Sequence, residues 1–87
     1  MKVIHKYDLQ IVDEQEIDMP VSSDILTIDW QGSTPVMWAR VDPSAIHVKR
    51  KIFLIGTGHK VPPGLTHIST IQMQSGALVL HWFRTSV

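Results

Sequence analysis

The chain reads as an all-β domain: a small antiparallel β-sandwich or half-open barrel of six to seven short strands, with little or no helix. Three observations predict this. Short segments alternate apolar and polar residues with period two. Turn-forming residues interrupt them roughly every eight to twelve positions. No stretch of useful length repeats apolar residues at spacings of three and four, so no substantial helix is expected.

Residues 2–10 place Val3, His5, Tyr7 and Leu9 on one face and Lys2, Ile4, Lys6 and Asp8 on the other, which is a strand pattern. Val12-Asp13-Glu14 turns into a short edge strand, residues 15–19, ended by Pro20, which has no N–H for a ladder. Val21-Ser22-Ser23-Asp24 is turn chemistry. Residues 25–31 alternate again, with Leu26, Ile28 and Trp30 expected to point inward. Gly32-Ser33-Thr34-Pro35 has the length of a hairpin connection. Residues 36–41 return from it, with Met37, Ala39 and Val41 facing opposite to Val36, Trp38 and Arg40.

Asp42-Pro43-Ser44 ends that strand, because Pro presets the angle of the second turn position. Residues 45–49 fit either an irregular segment or the run-up to the next strand, residues 49–55. Pro63-Gly64 suits the centre of a type II turn, where Gly accepts the positive φ. Residues 66–73 and 77–84 form a last pair joined across Gln74-Ser75-Gly76. In the final strand Leu78, Leu80 and Trp82 oppose Ala77, Val79, His81 and Phe83; apolar residues on both faces mark a central or interface strand.

A length of 87 residues makes residues 1–87 a single domain with a thin core. Hydrophobic residues are 44% of the chain, which excludes a disordered one. Without cysteine there is no disulfide and no thiolate chemistry, and a zinc site would need His, Asp and Glu. A thin core without staples makes a homo-oligomer the expectation. The N-terminal residues lack the apolar run of a signal peptide, and no segment is long and apolar enough to span a bilayer, so a cytoplasmic location is expected.

The formal net charge of zero hides a polarity. Through Asp29 seven acidic residues stand against Lys2 and Lys6; from Trp30 on, Asp42 stands alone against six basic residues. Two readings follow: acidic and basic segments packing together, or a basic surface for an acidic partner.

The candidate site is the loop Gly56-Thr57-Gly58-His59-Lys60, which follows an apolar strand. Backbone N–H groups in a glycine turn can form a concave nest for an anion, with His59 and Lys60 adding charge. The plain alternative is a tight turn off a buried strand. Neither a P-loop nor a G-x-G-x-x-G fingerprint is present, and no helix follows. Arg50 is expected to neutralise charge on the ligand, and Trp38 or Trp82 to offer a stacking face. Lys49-Arg50-Lys51 is not one patch, because Arg50 points opposite to its neighbours on a strand. With no net charge and no recognition motif, nucleic-acid binding is not expected.

Five histidines, His5, His47, His59, His67 and His81, show no helical metal-binding spacing, although strands can unite His5 with His81 or His67. No metal and no cofactor is expected. His67-Ile68-Ser69 resembles half of the paired signature of two-histidine phosphoesterases, but no second copy exists, and no G-x-S-x-G elbow is present. The chain is read as non-catalytic.

Several blocks together carry a resemblance: Lys6-Tyr7 after the N-terminal strand, Trp38-Ala39-Arg40-Val41-Asp42-Pro43, residues 52–62, and His67-Ile68 through Gly76-Ala77-Leu78-Val79-Leu80-His81-Trp82-Phe83. In order and spacing they resemble a family of small uncharacterised proteins of tailed bacteriophages and prophages, clearest at IFLIGTGHKVP and SGALVLHWF. The Pro62-Pro63 pair and the Arg50-Lys51 neighbourhood depart from it. The resemblance implies a phage accessory protein in the host bacterial cytosol and transfers no activity. The expected function is therefore binding, as a counter-defence inhibitor that sequesters a phosphate-bearing nucleotide signal. The alternatives are a protein–protein inhibitor of a host defence protein or nuclease, docking by a strand edge or the acidic residues 13–24, and a minor virion assembly protein.

Overall fold

A computed structural model describes residues 1–86. Seven strands follow one another: β1 (Val3–Asp8), β2 (Glu14–Pro20), β3 (Asp24–Gln31), β4 (Thr34–Val41), β5 (His47–Gly56), β6 (Leu65–Met73) and β7 (Leu78–Thr85). A 3₁₀ turn at Gln74–Gly76 joins the last two and is the only helical element among the described residues. All pairings are antiparallel, in a three-stranded sheet ordered β1-β4-β3 and a four-stranded sheet ordered β2-β5-β7-β6. The described residues include no helix long and apolar enough to cross a membrane.

The alternation in β4 builds one side of the core. Met37, Ala39 and Val41 are fully buried and stand in register with Tyr7, His5 and Val3 of β1. The facing sheet contributes Met19 of β2, Ile52 and Leu54 of β5, Ile71 of β6 and Trp82 of β7. Two such layers pack about 10 Å apart, in keeping with a shortest molecular dimension of 16 Å. β7 lies between β5 and β6, as apolar residues on both of its faces predict. Residues 47 and 48 already belong to β5, which extends to ten residues. Gly64 has φ +82°, the value a type II turn after Pro63 requires.

One inward face differs from the expectation. A bulge between Ile25 and Thr27 inserts an extra residue in β3, so Leu26 turns out to solvent, 43% exposed. Ile25 takes its place against the core, followed by Ile28 and Trp30. A second bulge between His67 and Ser69 in β6 faces the first across the gap between the sheets. There Ser69 Oγ accepts from the Ile28 N–H at 2.9 Å and lies 3.2 Å from Thr27 Oγ1. Trp30 Nε1 donates to the Gln72 carbonyl at 2.8 Å. These bonds stitch β3 to β6 along one side of the sandwich.

The charge asymmetry resolves within the fold. Acidic β2 pairs with basic β5, placing Glu16 opposite Lys51 and Asp18 opposite Lys49 on the outer face. Lys51 Nζ lies 3.5 Å from Glu14 Oε2, and His47 Nδ1 lies 3.2 Å from Asp18 Oδ2. Opposite charges across a ladder favour this register. They partly neutralise Glu14 and Asp18 of the acidic stretch.

Candidate functional site

The loop after β5 carries Gly56, Thr57, Gly58, His59 and Lys60, and two of its amides are already bonded to carbonyls of the chain. Thr57 N–H donates to the Val79 carbonyl at 3.3 Å and His59 N–H to the Gly56 carbonyl at 3.1 Å. The His59 ring lies over Gly56, where an added Cβ would come within 3.5 Å of it. A turn that closes on itself has fewer amides for an anion.

The other three predicted residues lie elsewhere. Arg50 stands six residues before Gly56 on an extended strand, a separation of about 20 Å. Trp38 is half-buried on the outer face of the other sheet, in register with Lys6 and Thr27. Trp82 is fully buried in the core and offers no face to a ligand. No stacking platform therefore adjoins the loop from either tryptophan.

Beside the loop, the outer face of the four-stranded sheet holds a polar chain that the sequence only hinted at. It unites His67 with His81, not with His5, and the two rings stand 6.3 Å apart. Thr57 Oγ1 donates to the Val79 carbonyl at 3.3 Å, so it can only accept from His81 Nε2, 2.8 Å away. With His81 neutral, its Nδ1 then accepts from Thr70 Oγ1 at 3.0 Å, and Thr70 accepts from His67 Nε2 at 2.9 Å. The hydrogen bonds thus run in one direction from His67 to Val79. Thr70→Val is expected to interrupt the chain and lower unfolding stability by about 1 kcal/mol, read from urea denaturation. No group of three or more potential metal ligands converges there among the described residues. The β6 bulge also separates His67, outside, from Ser69, at the seam, so the His-Ile-Ser half-motif does not present both side chains to one face.

The best-formed basic site lies at the end of the sandwich where β2 crosses to β3. Arg50 and Arg84 share strand parity with Ile52 and with Trp82, so both extend the inward stripes of their strands. There they line a cleft of about 540 Å³ together with Ser22, Ser23, Asp24, Ile25, Val21 and Val48. Arg50 Nη1 donates to the Ser23 carbonyl at 3.1 Å, and Arg84 Nη1 to the Thr85 carbonyl at 3.0 Å. Burial and then the nearby Arg84 charge hold the Arg50 pKa below its ordinary value, with Asp24 opposing them. Asp24, the cleft's one acid, has Oδ2 bonded to Arg40 Nε and Nη2, both at 3.2 Å, with Lys2 Nζ at 3.9 Å. Ser22, at φ +60°, holds the turn at the cleft's mouth in a left-handed conformation that costs a non-glycine residue about 1–2 kcal/mol.

A charged residue closing an apolar stripe, in two strands, was the available sequence signal for this cleft. Nothing in the linear order joins those two positions to residues 22–25. The site is a guanidinium-lined recess in an all-β sandwich.

The chain belongs to the family described as Domain of unknown function (DUF7352), whose model matches residues 1–87. No curated protein and no solved structure is significantly similar to it.

Proposed function

We propose that this protein is a non-enzymatic binding protein whose ligand carries a phosphate, seated between Arg50 and Arg84. One observation carries the reading: two guanidinium groups line a single concave cleft whose only carboxylate is already engaged by two other cations. An incoming phosphate would relieve the repulsion between the arginines and accept from planar forks suited to it. Val21, Ile25 and Val48 supply an apolar wall for the rest of a small molecule. A nucleotide signal remains the ligand class proposed, with its base against that wall rather than on a tryptophan. The resemblance to phage proteins supports a counter-defence role by sequestration in a bacterial cytosol, and the thin core supports a homo-oligomer.

Thermal melting with millimolar inorganic phosphate, followed by a panel of nucleotides, tests the reading. Bound ligand should raise Tm, and Arg84→Ala should remove the rise, whereas His59→Ala with Lys60→Ala should keep it. A rise lost with the loop pair but retained in Arg84→Ala would return the seat to the glycine loop. No rise with any phosphate compound would overturn the proposal.

A further inference from the structure

We infer that the free edge of β1 pairs antiparallel with β1 of a second copy of this chain, joining two three-stranded sheets into one. This names the interface of the homo-oligomer just proposed and rests on that part of the reading, not on the arginine cleft. β1 is the outermost strand of its sheet. Leu9 N–H donates to the Pro35 carbonyl, and the ladder runs in that register to Val3 and Val41. Bonding alternates along an antiparallel strand. Val3, His5 and Tyr7 therefore turn their backbone groups toward β4, and Ile4, Lys6 and Asp8 turn theirs outward. Among the described residues those outward groups meet no hydrogen-bond partner. The other edges are blunted, as bulges, prolines and like charges do. β2 ends at Pro20 and carries Glu14, Glu16 and Asp18, while β3 and β6 each contain a bulge and are bonded to one another. β1 has neither bulge nor proline.

Charge selects the register. A two-fold pairing must set outward-bonding residues opposite one another, which leaves few alignments. Centring it on Ile4 puts Lys2 against the partner's Lys6, and centring it on Lys6 puts that lysine against itself. Centring it on Tyr7 engages only the end of the strand. Centring it on His5 uses residues 2–8 throughout and sets Lys2 against the partner's Asp8 at both ends, a favourable cross-strand pair. Asp8 is exposed and has no ion-pair partner among the described residues, and Lys2 Nζ reaches Asp24 only at 3.9 Å. In the same alignment the stem of Lys6 covers the partner's Ile4, which is 63% exposed in the single chain. The inner face agrees. Val3 and His5 share the parity of buried Val41 and Ala39, yet both are exposed, so the four-stranded sheet does not reach beneath this part of β1. There Val3 stands directly opposite the partner's Tyr7, which covers part of that apolar surface.

Sedimentation velocity over a range of protein concentrations tests this. The intact chain should form a concentration-dependent dimer. Asp8→Lys alone and Lys2→Asp alone should each raise its dissociation constant roughly tenfold, because each sets like charges opposite one another at both ends. An equimolar mixture of the two variants should dimerise like the parent, since each then supplies the charge the other needs. The chain has no cysteine, so His5→Cys checks the register. Directly opposed residues lie close to the span of a disulfide, and mild oxidation should give a covalent dimer with His5→Cys but not with Lys6→Cys. A dimer indifferent to both charge variants, or one bridged by Lys6→Cys and not by His5→Cys, would overturn this interface and leave homo-oligomerisation standing. A monomer at every concentration would overturn both. Phosphate binding at Arg50 and Arg84 is read separately by thermal melting and stands or falls on its own.

Discussion

Trp82→Ala is expected to lower unfolding stability by about 3–5 kcal/mol, a large part of what this fold has. Trp82 has no exposed surface and sits in one of the two inner strands of the four-stranded sheet, in register with Leu54 of β5 and Ser69 of β6. Truncating a buried Trp to Ala costs about 3–5 kcal/mol, through lost transfer energy and the cavity left behind. Domain stabilities run at roughly 0.05–0.15 kcal/mol per residue, so this loss takes a large share of what an 87-residue chain has. No disulfide is present to compensate. Trp82→Phe should be much milder. The Trp82 indole N–H is buried with no hydrogen-bond partner among the described residues, and Phe removes that donor while keeping most of the apolar volume. Circular dichroism and urea denaturation separate the two variants. A Trp82→Ala protein as stable as the parent would contradict the placement of this residue at the centre of the core.

The double substitution Arg50→Met with Arg84→Met is expected to abolish phosphate binding without loss of stability. Each guanidinium removed from a phosphate takes away charge-assisted hydrogen bonds of about 1.5–3 kcal/mol. Losing both should weaken affinity by at least a hundredfold. Stability should hold because burial, and then the like charge of Arg84, both disfavour the Arg50 cation in the folded chain. Methionine also keeps the apolar stems that continue the stripes of Ile52 and Trp82. A double variant that binds phosphate normally would remove the cleft from consideration. One that unfolds would show the arginines to be structural.

The strand framework was legible because period-two alternation and turn residues act locally. Pro63-Gly64 foretold its own positive φ, and the two apolar faces of residues 77–84 foretold a central strand. The bulges at Leu26 and Ile68 were not legible, since a single inserted residue changes which side chains face inward without altering composition. Their consequence was the wrong inward set in β3. The loop at residues 56–60 attracted attention because glycines next to a histidine and a lysine suggest a nest. Whether such amides are free depends on the Val79 and Gly56 carbonyls, which only the folded chain brings near. Trp82 was not legible for a different reason: apolar residues on both faces of its strand did not say which face would be covered, and it is the Trp82 face that meets the core. The cleft draws on residues 21–25, 48, 50 and 84, contacts between distant segments that no local pattern contains.

Backbone and arginine side-chain N–H resonances followed during a phosphate titration test the central claim most directly. The account predicts that shifts concentrate at the amides of residues 21–25 and at the Nε–H groups of Arg50 and Arg84, while those of residues 56–60 stay still. Shifts confined to the glycine loop, or none at phosphate concentrations that saturate ordinary anion sites, would contradict it.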